Sequence, residues 1–94
     1  MEVLHIEISK LAGNQLCKIP HSIQDSFSKW VDRIEKIGIQ ETRKISGYHD
    51  EPLKGDRRGQ RSVRLNKGYR AIYIQRSLGD IKILEVLEIN KHGY

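Results

Sequence analysis

Residues 62–89 read SVRLNKGYRAIYIQRSLGDIKILEVLEI, and this stretch is the most informative part of the sequence about the fold. Two turn-forming segments, 66–68 and 77–80, divide it into three runs with strand-like patterns. Short turns between consecutive strands are typical of antiparallel pairing. The last run, 81–89, has apolar residues on both faces, as a central strand does. The stretch therefore predicts a three-strand antiparallel meander.

The residues before this stretch predict a strand followed by a helix. Residues 3–8 alternate weakly between apolar and polar side chains, which indicates a short strand. Residues 9–19 fit either a short helix or a turn. A helix of about 16 residues is predicted from Ser22, which begins a pattern like a capping box, to Gly38, a suitable C-cap. Its apolar stripe consists of Ile23, Phe27, Trp30, Val31, Ile34 and Ile37.

The order of these elements predicts the fold class. Residues 39–45 are interpreted as a short helical or extended connector, and residues 46–60 as a loop with several glycines and a proline. The prediction is an α+β fold with an N-terminal strand, one or two helices and the meander, the helices packing on one face of the sheet. The 94 residues provide one domain, 1–94, with a small core.

The composition excludes several functional classes. No apolar run approaches the roughly 20 residues that a membrane span needs, and no signal peptide is indicated. The single cysteine, Cys17, excludes an internal disulfide and a cysteine-built zinc site. The four histidines lack metal-ligand spacing, and no glycine-rich nucleotide-binding motif occurs. We expect a cytoplasmic protein that uses no metal or cofactor and binds no membrane.

The net charge of +5 is concentrated in one segment. Residues 54–76 contain eight basic residues and one acidic residue, a balance of +7, so the rest of the chain sums to −2. A local excess of this kind favours a basic working surface, for which nucleic acid is the usual partner. A solvated charged face is the alternative interpretation.

Two arginines of this segment are predicted to lie side by side. If Val63 faces the core, its neighbour Arg64 faces the open side of the sheet, and the next strand places Arg70 on that same side. Two guanidiniums on rigid strands can hold a phosphate, because each presents a planar pair of N–H groups to two oxygens. The alternative is that either arginine pairs with Glu85 or Glu88 on the last strand.

Titratable side chains precede and follow the basic segment. The loop at 49–55 contains Glu51, a potential base, and the cation Lys54. A carboxylate beside phosphate-binding arginines can take a proton from a ribose 2′-hydroxyl. The chain ends with His92 and Tyr94, which can protonate a leaving oxygen and stack on a base. Ordinary loop composition and a frayed tail are the alternatives for these two segments.

Several of these motifs occur in an order that resembles a known family. Residues 47–55 read GYHDEPLKG, residues 58–66 read RGQRSVRLN and residues 69–73 read YRAIY, with His92 and Tyr94 at the chain end. This combination resembles the RelE/ParE superfamily of bacterial toxins from type II toxin–antitoxin systems, and most closely its YoeB- and HigB-like mRNA interferases.

The resemblance implies a ribosome-dependent mRNA endonuclease. Such a toxin enters the A site of the small ribosomal subunit and cuts mRNA by attack of the ribose 2′-oxygen on the adjacent phosphate, which inhibits translation. A cognate antitoxin neutralises it. By the family pattern, Glu51 is the general base, Arg70 stabilises the phosphate and His92 is the general acid.

The resemblance also assigns binding residues. Arg64 matches the arginine of the preceding strand, and Lys54 is a second candidate for substrate contact. Tyr94 matches the terminal tyrosine if one extra residue is allowed. Two alternatives stay open: a ParE-like inhibitor of DNA gyrase that acts by protein binding, and a non-catalytic RNA-binding domain. Further phosphate binding is expected from Arg61, and contacts to ribosomal RNA from Arg57, Arg58 and Lys67.

Overall fold

A five-stranded mixed sheet with helices on one face forms the molecule. The computed structural model describes residues 3–91, in which two short 3-10 turns, Ser46–Tyr48 and Gly55–Arg57, flank the second strand. The strands and helices in chain order are β1 (Val3–Ile8), α1 (Lys10–Leu16), α2 (His21–Arg43), β2 (Glu51–Pro52), β3 (Gln60–Arg64), β4 (Tyr69–Leu78) and β5 (Ile81–Lys91).

The sheet has the strand order β1-β5-β4-β3-β2. Strands β3, β4 and β5 form the predicted antiparallel meander, and β1 joins its far edge parallel to β5. The α+β prediction is confirmed. The two-residue strand β2 was not predicted, because its sequence is that of a loop and only pairing with Ser62 and Arg61 of β3 makes it a strand.

Helix α2 packs its apolar stripe onto the sheet. Phe27, Trp30 and Ile34 are buried, and the Trp30 ring lies 5.3 Å from the ring of Tyr73 on β4, centroid to centroid. Aromatic rings in such tilted contact add to the energy of apolar burial. Residues 10–16 also form a helix, which resolves the alternatives left open for that segment.

Both ends of the predicted α2 helix need correction. The helix begins at His21 after Pro20, and no side-chain capping bond forms there. At the other end Gly38 has φ +85°, a conformation that favours glycine, and interrupts the helix before a last short segment. Because the chain changes direction there, Ile37 is 48% exposed, and Ile39 packs into the core in its place.

The two faces of the sheet differ in chemistry. The face toward the helices carries the buried side chains of Val63, Ala71, Tyr73, Leu84, Val86 and Ile89. We call the opposite face the open face. It carries polar side chains at the paired positions Arg64, Arg70 and Asn90. Ile72 also points to this face and is fully buried there, so the surrounding polar side chains cover it.

A β-bulge in β5 sets which side chains reach the open face. The pairing of β4 with β5 shifts between Ile72 and Tyr73, so that Leu87 is the extra residue. Regular alternation from Val86 would turn Glu88 toward the helices. The bulge turns Glu88 to the open face and returns Ile89 to the core.

Candidate active site

Arg64 and Arg70 lie directly opposite each other on β3 and β4, on the open face. Residues paired in this way have Cα atoms about 4.5 to 5.5 Å apart. The alternation of the sequence therefore predicted their arrangement correctly. Like charges placed opposite each other repel, which favours a bound anion between them. Within residues 3–91, the Arg64 side chain has no hydrogen bond or ion pair.

Arg70 is held by β5. Its Nε donates a hydrogen bond to Asn90 Oδ1 at 3.0 Å, and Asn90 Nδ2 donates to Glu88 Oε2 at 3.1 Å. The other oxygen of Glu88 forms an ion pair with Arg57. Burial opposes ionisation of Glu88, but the hydrogen bonds from Asn90 and Arg57 and the charges of Arg57 and Arg70 outweigh it and hold the pKa of Glu88 below its usual range.

Glu51 lies on the same face as the arginine pair. It is paired with Ser62, so its side chain belongs to the open face, and Arg64 is its diagonal neighbour on β3. Diagonal neighbours of this kind have Cα atoms about 7 to 8 Å apart, within reach of long side chains. Glu51 is exposed, and its side chain has no partner within the described residues. An anion held by Arg64 would therefore be within reach of this carboxylate.

The side chain of Asp50, the residue before Glu51, is buried on the helix side of the sheet. Its carboxylate accepts hydrogen bonds from Arg61 Nε at 2.6 Å and from the Tyr73 hydroxyl at 2.5 Å, and Arg43 Nε donates to the Tyr73 oxygen at 3.1 Å. Burial and the hydrogen bond to Asp50 raise the pKa of Tyr73 to about 12. This network fixes the backbone that carries Glu51.

Arg61 belongs to this buried network. The sequence predicts a phosphate-binding role for Arg61, but the structure places it opposite Tyr73, on the helix side of the sheet, in an ion pair with Asp50. The reason is strand alternation, which turns Arg61 and Arg64 to opposite faces. The structure therefore does not bring Arg61 together with the arginine pair.

The other basic candidates surround the open face. Arg57 lies in the turn before β3 and forms an ion pair with Glu88 on β5, and its expected contact with ribosomal RNA stays a prediction. Lys54, Arg58 and Lys67 are exposed in turns at either end of β3. His92 and Tyr94 follow Lys91 in sequence and lie outside the described residues.

The contributions of Asn90 and Asp50 were missed from the sequence. No motif singles out Asn90, and the spacing of three between Val86 and Ile89 is the one signal in the sequence of the bulge that brings it to the open face. Asp50 looks like an ordinary loop residue, and its burial depends on a partner eleven residues away.

The site is a surface of the sheet and not a closed cavity. A cleft of about 510 Å³ lies on the helix side beside Gly38 and is lined partly by Ile37 and Lys82, away from the arginine pair. Within residues 3–91, no three His, Cys, Asp or Glu side chains are grouped to hold a metal, and no helix is long and apolar enough to cross a membrane. An open basic surface is more suitable for binding an anionic polymer than for binding a small molecule, which usually needs an enclosed pocket.

No family model matches the chain, and no curated protein matches its sequence. Solved structures of bacterial toxins resemble it. The YoeB/ParE toxin from Agrobacterium tumefaciens has a TM-score of 0.73 at 17% identity, over 95% of this chain and 99% of that one. YafQ from E. coli has a TM-score of 0.70 at 18% identity, over 93% and 91%.

A chain of the YoeB-YefM complex from Staphylococcus aureus has a TM-score of 0.68 at 17% identity, over 96% of this chain and 98% of that one. Likeness at such identities shows the fold. The chain therefore has the fold of the RelE-like toxins, in the form that YoeB and YafQ share.

Proposed function

We propose that this chain is the toxin of a type II toxin–antitoxin pair and a ribosome-dependent mRNA endonuclease. The observation that carries the proposal is the opposition of Arg64 and Arg70 on an uncovered sheet face, with Glu51 in the neighbouring row. Two guanidiniums carried on adjacent strands neutralise a phosphate that gains charge during reaction, and a nearby carboxylate accepts a proton.

The chemistry follows from these positions. Glu51 takes the proton of a ribose 2′-hydroxyl, and the 2′-oxygen attacks the adjacent phosphorus. Arg64 and Arg70 bind the non-bridging oxygens as negative charge builds on them. The bond to the 5′-oxygen then breaks, and His92 donates the proton that this leaving oxygen needs. The products are a 2′,3′-cyclic phosphate and a free 5′-hydroxyl.

The ribosome supplies the alignment of the mRNA in this proposal. Few strong bases are present, so the rate depends on holding the 2′-oxygen in line with the bond that breaks. The exposed Lys54, Arg58 and Lys67 bind phosphates of ribosomal RNA and place the toxin in the A site without reading sequence. Tyr94 stacks on a base of the mRNA.

An antitoxin partner is part of the proposal. The Staphylococcus aureus neighbour is a chain of a toxin complex with YefM, and the open face here carries an excess of positive charge around Arg64 and Arg70. We expect a protein encoded beside this chain to present carboxylates to that face. If no neighbouring gene product binds the chain or restores growth, this part of the proposal is wrong.

The test is induction of the chain in bacterial cells, followed by primer-extension mapping of mRNA. We expect growth arrest and new mRNA 5′ ends within translated codons, and we expect Arg70→Ala to abolish both. Arg76→Ala is the matched control, because Arg76 lies on the same strand and face but pairs with Glu85. Arrest with DNA damage and intact mRNA would instead indicate gyrase inhibition, and RNA binding without cleavage would indicate a non-catalytic domain.

A further inference from the structure

Asn90 lies on β5, paired with Arg70 of β4, and takes no part in the chemistry proposed above. Its side-chain oxygen and nitrogen both have partners, Arg70 Nε and Glu88 Oε2. An amide with both groups bonded keeps one orientation, so its oxygen stays aimed at Arg70. The bond uses Nε, which leaves the two terminal nitrogens of Arg70 without a partner among residues 3–91. These nitrogens form the planar pair that binds two phosphate oxygens.

Glu88 connects this contact to another arginine. One of its oxygens accepts from Asn90 and the other from Arg57, whose second terminal nitrogen donates to Gln60 at 3.1 Å. Arg57 is therefore bonded to the Glu88 carboxylate directly, and Arg70 is connected to it through Asn90. Arg57, Arg64 and Arg70 would repel one another without a negative charge among them, and Glu88 supplies it.

We propose that Asn90 and Glu88 are positioning residues that fix the guanidiniums of Arg70 and Arg57 for a phosphate-bearing ligand. This inference deepens the proposed function and rests on it for the identity of the ligand as RNA. Asn90 acts on Arg70 directly, and Glu88 acts through Asn90 and on Arg57. Neither residue touches the reacting atoms.

Glu88 has a second, opposing effect on the ligand. The negative charge of Glu88 attracts the arginines but repels a phosphate. Glu88 therefore lowers the overall electrostatic attraction for RNA, while it holds the guanidiniums in the orientation that binds phosphate. Removing the charge should therefore raise affinity and lower the cleavage rate. If Glu88 served only to balance charge in the folded state, removing its charge would not raise RNA affinity and lower the cleavage rate at the same time.

The experiment is a double-mutant cycle between Asn90→Ala and Arg70→Ala. One readout is affinity for a short RNA that carries 2′-O-methyl groups and cannot be cleaved. The other is the single-turnover rate of mRNA cleavage on ribosomes. We expect Asn90→Ala to lower affinity about fivefold and the rate about 10- to 100-fold in the parent, and to leave affinity unchanged when Arg70 is already alanine, a background in which no cleavage remains to be measured.

Additive effects would overturn the inference, because Asn90 would then act independently of Arg70. If Asn90→Ala does not fold, Asn90→Asp replaces it in the cycle. That variant keeps an oxygen for Arg70 but loses the donor to Glu88 and adds a repelling charge. We expect its effect to be smaller in the Arg70→Ala background, where only repulsion between the new carboxylate and the RNA remains, and an undiminished effect there would contradict the proposal.

Glu88→Gln tests the opposing effects. The glutamine keeps an oxygen for Asn90 and removes the charge, so we expect RNA affinity to rise about twofold and the cleavage rate to fall several-fold. Glu85→Gln is the matched control, since Glu85 lies on the same strand and face in an ion pair with Arg76. We expect its cleavage rate to stay within about twofold of the parent rate. Equal behaviour of the two variants would overturn the role of Glu88.

The two proposals fail in different ways. A parent chain that cleaves no mRNA on ribosomes contradicts the endonuclease, while the affinity cycle with uncleavable RNA still decides whether Asn90 positions Arg70. A parent that cleaves mRNA but shows an additive cycle contradicts only the positioning role.

Discussion

Asp50 and Glu51 are adjacent in sequence but belong to opposite faces of the sheet. The side chain of Asp50 is 1% exposed and is bound by Arg61 and Tyr73, while Glu51 is exposed on the face that carries the arginine pair. The buried carboxylate of Asp50 holds the start of β2 in place, and strand alternation then directs the side chain of Glu51 to the open face. One short strand thus connects the stability of the fold with the proposed chemistry.

Asp50→Ala should destabilise the fold. It removes one member of a largely buried ion pair and leaves Arg61 and the Tyr73 hydroxyl without their acceptor, which costs about 3 kcal/mol in free energy of unfolding. Urea unfolding measures the change. Asp56→Ala is the control, since Asp56 is exposed in a turn and should change stability by less than about 0.5 kcal/mol. Equal stability of the two variants would contradict the anchoring role.

Arg64→Gln should stabilise the fold and weaken RNA binding. Removing one of two facing positive charges relieves repulsion and stabilises the fold by about 0.5 kcal/mol. The same change weakens RNA binding and lowers the slope of log affinity against log salt by about 1. Thermal unfolding and RNA titration at several salt concentrations measure both effects. A variant that loses stability and keeps its RNA affinity would refute the phosphate-binding role of Arg64.

Tyr73 makes stability depend on pH in the alkaline range. Its pKa is raised from the ordinary value of 10 to about 12, so the folded state holds the phenolic proton more tightly than the unfolded state. This contribution, about 2 to 3 kcal/mol, is present below pH 10 and is lost as the pH rises toward 12. Denaturant unfolding from pH 9 to 12 should show the decline, and Tyr73→Phe should flatten it. An equally steep decline in Tyr73→Phe would refute the assignment.

Gly38→Ala and Gly13→Ala should change stability in opposite directions. A Cβ meets no atom within 4 Å at either position, so the effects are conformational. Gly38 has φ +85°, where a side chain costs about 1 to 3 kcal/mol. Gly13 lies within α1, where alanine is favoured by about 1 kcal/mol. Chemical denaturation of both variants checks the contrast, and a stabilised Gly38→Ala would argue against the observed break in the helix.

Glu51→Gln should lower the single-turnover cleavage rate about 100- to 10,000-fold, because the amide cannot accept the 2′-hydroxyl proton. Binding to ribosomes should be unchanged, since the basic turns carry that interaction. Glu35→Gln is the control, as Glu35 lies exposed on α2. Full cleavage by Glu51→Gln would assign the base to another group.

The sequence predicted those parts of the fold that depend on local periodicity. Alternation placed Arg64 and Arg70 on one face, and the stripe through Trp30 defined the helix that covers the other. It could not predict β2, because two residues show no period and the strand exists only through pairing with Ser62. Nor could it predict the burial of Asp50, which depends on residues that come together only in the folded chain.

The bulge at Leu87 bears on how this chain is aligned with others. A strand can carry or lack one residue at this point and still keep the same inward and outward side chains before and after it. A gap opposite residue 87 would therefore leave the counterparts of Val86 and Asn90 in equivalent positions. If a related chain lacks the bulge residue, an alignment made without a gap from a shared C-terminal motif would shift every residue before position 87 by one.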